Sequence, residues 1–267
     1  MLYFVATPIG NLKDFSFRAV EVLSSVDVIA CEDTRNSLKL LNHYNIHKKL
    51  IAYHKFNEKN SADGIVALLK QGKNVALISD SGMPVISDPG SVLVEKLKQN
   101  DLEYTVIPGA NAGLCALLLS GMDSSSYTFV GFLPEQNRDR KKLMEDVRVY
   151  KSTLLFYVSP HSLQKDIDFL FKQLGQRNAC LVNEITKLHE KTLSFVLGEH
   201  IDVEPRGEYV LVVEGRKQHL VSENALPPEQ ELKNLIDGGM RKNDAVKIVA
   251  QKHKLNRNDV YKLAIDL

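Results

Sequence analysis

The chain has 267 residues, 34 Lys+Arg against 33 Asp+Glu, a formal net charge of +1 and 44% hydrophobic residues. These values exclude a disordered, collagen-like or uniformly basic chain and leave one large or two ordinary globular domains. A polyanionic partner would have to be met by a local basic patch rather than by net charge.

Leu2–Ala6 reads as a buried strand, followed by the turn-rich Thr7-Pro8-Ile9-Gly10-Asn11. Ser16–Ser25 carries Phe17, Val20 and Leu23 at helical spacing, Val26–Ala30 is a second strand, and Thr34–His43 is a helix. Helical Ile65–Leu69, strand Asn74–Ile78, helix Val92–Leu97 and strand Tyr104–Ile107 continue the alternation. Strands alternating with helices imply crossover units and a mostly parallel sheet, so the fold class is α/β.

A second block begins near Asn111, with an apolar helix over Ala112–Ser120 and a strand over Tyr127–Phe132, then a polar, basic stretch. Strand Thr153–Val158, helix His161–Leu174 and strands at Ala179–Val182, Leu193–Leu197 and Tyr209–Val213 have little helix among the last three. This half is expected to hold a mixed sheet. Gly215–Pro228 reads as a linker, and Glu229–Leu267 as three short helices, with Asp244 and Asn258 as candidate caps of the last two. Residues 241–262 hold seven Lys/Arg against two Asp, which fits either a helix-turn-helix on nucleic-acid backbone or a solvated helical face.

Cys31, Cys115 and Cys180 are far apart, which implies neither a disulfide framework nor a zinc site; no metal is expected. No apolar run reaches membrane-spanning length and the first residues lack a basic signal-like region, so a cytoplasmic location is expected. Dinucleotide and nucleoside-triphosphate glycine loops, serine-hydrolase elbows and zinc-protease helices are missing from the sequence.

What the sequence does contain is a set of Gly/Pro-rich loops at the carboxyl ends of expected strands, where open α/β sheets bind ligands. They are Thr7–Asn11, Cys31-Glu32-Asp33-Thr34-Arg35, the twelve-residue Ser79–Gly90 and Pro108-Gly109-Ala110-Asn111-Ala112. Singly, each could be only a connection: Asp33 or Thr34 a helix cap, Pro89 the first residue of a helix. A long ordered loop such as Ser79–Gly90 is more often functional.

Together with Gly131-Phe132-Leu133-Pro134, Phe156-Tyr157-Val158-Ser159-Pro160-His161, Glu184-Ile185-Thr186-Lys187 and Gly207-Glu208-Tyr209-Val210-Leu211, these segments occur in the order of one family. From about Leu2 to Glu214 the chain resembles the small-subunit rRNA methyltransferase branch of the tetrapyrrole methylase superfamily. It departs at Ser81 and Met83, where Ala and Thr are usual, at Ala110-Asn111, and at Ser162 and Asn183, where arginines are common.

The resemblance implies two α/β domains with S-adenosylmethionine in the cleft between them, expected here as 1–110 and 111–216, followed by a linker and small helical domain over 217–267. It implies a homodimer and methyl transfer to the ribose 2′-oxygen of a cytidine in the decoding region of 16S rRNA, within the small ribosomal subunit. By position, Pro8, Ile9, Asp80, Gly82, Met83, Pro84, Val85, Ile86, Asn111, Ala112 and Tyr209 should line the cofactor cleft. For proton removal from the hydroxyl the candidates are Lys187 and Glu32, then Asp33 and Glu184, with His161 more suited to capping. Arg35 and the cluster Arg138, Arg140, Lys141 and Lys142 are the expected RNA contacts. Two alternatives stay open: a small-molecule tetrapyrrole methylase, against which the Thr7–Asn11 loop argues, and a non-catalytic RNA-binding assembly factor.

Overall fold

A computed structural model describes residues 1–202, 206–217, 226–253 and 255–264. The first five strands, β1 (Leu2–Val5), β2 (Val28–Cys31), β3 (Lys49–Ala52), β4 (Val75–Ile78) and β5 (Tyr104–Ile107), form one sheet in the order β3-β2-β4-β1-β5. Every pairing in it is parallel. The helices between them are α1 (Phe17–Ser25), α2 (Thr34–His43), α3 (Glu58–Lys70) and α4 (Ser91–Gln99). They cover both faces: Leu2, Phe4, Ala30 and Leu77 pack on Ile65, Leu93 and Leu97, while Val5, Ile29 and Ile78 pack on Ala19, Leu23 and Leu41. Burial from both sides is why β2 and β4 read as unbroken apolar runs.

After α5 (Ala112–Ser120), strands β6 (Tyr127–Phe132), β7 (Thr153–Val158), β8 (Asn178–Asn183), β9 (Lys191–Val196) and β10 (Tyr209–Val213) form a second sheet ordered β6-β7-β10-β8-β9. Only β6–β7 is parallel, the mixed character expected from the scarcity of helix between the last strands. Helices α6 (Asn137–Val147) and α7 (Leu163–Leu174) cover one face through Met144, Val147, Ile167 and Leu170. On the other face, Ala116 and Leu117 of α5 join Leu155, Val182, Val210 and Val212, and Ile9 from the first sheet's edge packs into the same cluster.

Residues 1–216 form one compact unit, and 217–267 a second. The second contains α8 (Pro228–Asp237), α9 (Lys242–His253) and α10 (Arg257–Leu263) around Leu232, Val246, Val249 and Val260. Most of the linker expected over Gly215–Pro228 falls on residues 218–225, outside the described residues. Among the described residues no helix is long and apolar enough to cross a membrane.

Several boundaries differ from the sequence reading. β2 starts at Val28 because Val26 closes α1, its N–H donating to the Val22 carbonyl. α4 begins at Ser91 rather than at Pro89. α7 begins at Leu163 after Ser162, so His161 does not open it. Asp244 lies inside the first turn of α9, and α10 is capped by Asn256, whose side chain accepts from the Asn258 N–H. β3 and α6 have no counterpart in the sequence reading.

Candidate functional site

Strand β1 lies between β4 and β5, so the segments leaving β1 and β4 emerge side by side at the carboxyl edge of the first sheet. They are tied together: the Thr7 N–H donates to the Gly82 carbonyl at 2.8 Å and the Gly82 N–H to the Thr7 carbonyl at 3.2 Å. The Thr7 hydroxyl donates to the Ser79 carbonyl at 3.2 Å. Within the 79–90 loop Val85 and Ser87 take φ angles of 74° and 67°. A left-handed β-branched residue is strained, and such strain persists only where the surroundings impose it.

These segments line a cavity of about 490 Å³ together with the second sheet. Ile9, Gly82, Met83 and Ile86 contribute from one side; Asn111 and Ala112, Phe132, Tyr157, Ile185, Glu208, Tyr209 and Val210 from the other. The size suits a small-molecule site, and the lining is apolar with a few polar groups, as such sites are. A bulge between Phe129 and Gly131 shapes one wall. Its extra residue puts Phe129 and Phe132 on the same face, so both rings stack edge-on against Tyr157, at 5.0 and 5.5 Å between centroids.

Two groups of charge reach the cavity, each through one carboxylate, Asp88 and Glu208. In the first, Glu32 and Asp33 follow β2, and Asp80 and Asp88 follow β4; the Asp33 N–H donates to Asp80 Oδ1 at 3.3 Å. Asp33 caps α2, and its carboxyl is held below the usual range by hydrogen bonds from Arg35, whose Nη2 is 3.0 Å from Oδ2. Burial and the Asp80 charge push the Glu32 carboxyl up. Asp88 lines the main cavity and also a small crevice shared with Glu32, Tyr53 and Pro84. Burial and the nearby Glu32 charge, opposed by a Ser79 hydrogen bond, bring it to about 6.

In the second group, Lys187 Nζ sits 3.1 Å from Glu184 Oε1 and 3.0 Å from Glu208 Oε2. Burial alone would lower the Lys187 pKa, but the two carboxylates outweigh it and raise it. Two glycines make room for this triad. A Cβ on Gly10 would lie 2.6 Å from Lys187 Cγ, and one on Gly207, at φ 96°, would lie 2.7 Å from Glu184 Oε1. Glu184 and Thr186 adopt φ of 51° and 66°, a second strained segment on the same seam.

Residues 1–200 match the family model described as Tetrapyrrole (Corrin/Porphyrin) Methylases. The chain belongs to this family. Relatives named ribosomal RNA small subunit methyltransferase I are 40% identical in Halalkalibacterium halodurans and 38% identical in Bacillus subtilis, each covering 98% of this chain. The alignments span 93% and 92% of those proteins. Among solved structures, a diphthine synthase superposes with a TM-score of 0.62 at 14% identity, covering 82% of this chain and 92% of that one. The methyltransferase CobJ gives 0.60 at 17% identity, covering 81% and 96%. At those identities the likeness concerns the fold, which is that of the tetrapyrrole methylases.

Of the residues expected to line a cofactor cleft in this methylase, Ile9, Gly82, Met83, Ile86, Asn111, Ala112 and Tyr209 border the cavity. Pro8, Asp80, Pro84 and Val85 do not: Pro84 faces the Glu32 crevice, and Val85 packs on the core beneath α4. None of Lys187, Glu32, Asp33 and Glu184 borders it directly; Lys187 reaches it through Glu208 and Glu32 through Asp88. The sequence reading assigns no role to Ser87, Asp88, Phe132, Tyr157, Ile185 or Glu208, although all lie in motifs it singles out. Of the basic residues, Arg35, Arg138, Lys141 and Lys142 are exposed. Arg140 is not: it is buried, its Nη1 2.8 Å from Asp166 Oδ1 and its guanidinium over the Phe169 ring, so it is a structural residue of α6.

Proposed function

We propose that this protein methylates small-subunit ribosomal RNA with S-adenosylmethionine, at the ribose 2′-oxygen of a cytidine in the decoding region of 16S rRNA. The observation that carries the reading is the cavity at the seam of the two sheets, built by the motif segments of a methylase whose near-full-length relatives bear an rRNA methyltransferase name.

The residues present suit S-adenosylmethionine. Ile9, Met83 and Ile86 offer an apolar wall, Ser81 and Asn111 offer polar contacts, and the Glu208 carboxylate at the wall suits a cationic end of the cofactor. When bound, the cofactor supplies an electrophilic methyl group. The protein's share is then to align the acceptor, exclude water and manage one proton. Lys187, fixed as a cation between two carboxylates, is a poor proton acceptor; it anchors Glu208 at the cavity wall.

Exposed Arg138, Lys141 and Lys142 on α6 and Arg35 on α2 suit phosphate contacts. A homodimer is supported by exposed apolar side chains: Leu114 and Leu118 on α5, with Phe129 on edge strand β6 beside Gly113.

Incubation with labelled S-adenosylmethionine and undermethylated small subunits, followed by nuclease mapping, tests the assignment. Label in a 2′-O-methylcytidine is expected; label only in a tetrapyrrole offered in parallel would overturn it.

A further inference from the structure

The seam carries many carboxylates but few that could touch a bound acceptor. Asp88 and Glu208 are the two that line the main cavity among the described residues, and the lining includes no Lys, Arg or His. Glu208 is neutralised by Lys187 at 3.0 Å. Asp33 is taken by Arg35, Glu184 by Lys187, and Glu32 lies in the crevice behind Asp88. Asp88 thus faces the cavity with no cation paired to it among the described residues. Its neighbours are Glu32 from the end of β2, Asp80 and Ser79 from the end of β4, and Tyr157 from β7.

We propose that the Asp88 carboxylate accepts the proton of the acceptor hydroxyl during methyl transfer, and that Glu32, which shares the crevice behind Asp88, is a positioning residue for it. This rests on the rRNA methylation reading above. The ribose oxygen forms a bond to the methyl carbon, the carbon–sulfur bond breaks with its electron pair left on sulfur, and the hydroxyl proton moves to Asp88 and then to water. The surroundings suit a general base, since a carboxyl brought to about 6 is ionised at neutral pH yet more basic than an ordinary one. The Ser79 hydroxyl near Asp88 donates to the Gly82 carbonyl at 3.1 Å, so this neighbour of the carboxyl is itself fixed to the loop that shapes the cavity.

The test combines single-turnover methylation of small subunits across pH 5–9 with calorimetric S-adenosylmethionine affinity and carbon-13 NMR titration of the Asp88 carboxyl in the full chain. Wild-type rate should fall below about pH 6. Asp88→Asn should lose on the order of 10²–10⁴-fold in rate while cofactor affinity changes by less than about threefold, and Asp88→Glu should recover part of the rate. Glu32→Gln should move both the acidic limb and the Asp88 NMR titration down together, by roughly half to one pH unit. A fixed acidic limb in Glu32→Gln with an Asp88 carboxyl titrating at an ordinary value would overturn the proposal. So would loss of cofactor binding in Asp88→Asn, which would make Asp88 a cofactor ligand. No transfer to any RNA by the wild-type chain, with cofactor still bound, would instead remove the rRNA reading, and this role of Asp88 with it.

Discussion

At Asp88 the demands of the site and of stability oppose each other. A carboxyl at about 6 in the native state, against ~4 in the unfolded chain, binds its proton more tightly when folded. The native protein therefore holds the extra proton between about pH 4 and 6, and stability falls as pH rises through that window. Above it the full cost of the buried charge is present. Asp88→Asn should therefore stabilise the protein by about 1–2 kcal/mol at pH 7.5 and leave it near wild type at pH 4.5; thermal melts at the two values check this. Gly207 poses the opposite case. Its left-handed φ and the nearness of Glu184 leave no place for a side chain, so Gly207→Ala should cost about 2 kcal/mol and loosen the Lys187 triad. Urea titration would measure it. Neither residue's role is legible in the sequence. Asp88 sits in the long polar loop after β4, but the charges that raise it come from Glu32, 56 positions earlier, and from Asp80. Lys187 reads as a base in the sequence, and the carboxylates of Glu184 and Glu208 beside it in space make it a fixed cation.

Element identity is legible where a segment is buried on both faces or has a clear apolar stripe. β2, β4 and β10 are apolar runs because helices or loops cover both sides. β3 escapes because Lys49–Ala52 is a short, half-exposed edge strand whose composition resembles a loop. α6 escapes because Asn137–Val147 is dominated by charge and buries only Arg140, Met144 and Val147. That helix separates two kinds of arginine. Arg140→Ala would leave Asp166 buried without its partner, which should cost about 3–5 kcal/mol and lower rRNA methylation only as far as the protein unfolds. Replacing Arg138, Lys141 and Lys142 together by Ala should leave the melting temperature within about 2 °C and weaken subunit binding. Calorimetry on both variants, with binding measured at two salt concentrations, distinguishes them.

On the scale of the whole chain, the alternation of strands and helices is enough to predict an α/β fold, and the scarcity of helix between Leu174 and Val213 is enough to predict a mixed second sheet. The cavity is only partly legible, because it is made where two sheets meet and its walls come from segments over 200 positions apart, Ile9 and Val210 among them. The C-terminal unit raises a different question. It buries its own cluster of Leu232, Val246, Val249 and Val260, and the 241–262 stretch is strongly basic while the rest of the chain is balanced. A unit with its own core can be removed without opening the methylase core, whose clusters draw on no residue beyond Val213. A chain ending at Arg216 should therefore keep its S-adenosylmethionine affinity. If the basic helices grip phosphates, three or four lost contacts should flatten the salt dependence of rRNA binding by roughly three in log–log slope and weaken binding most at low salt. Filter binding of both chains to small subunits between 50 and 300 mM salt reads that slope. Parallel lines would mean that the basic helices are solvated surface, and that RNA is held by the methylase unit through α2 and α6.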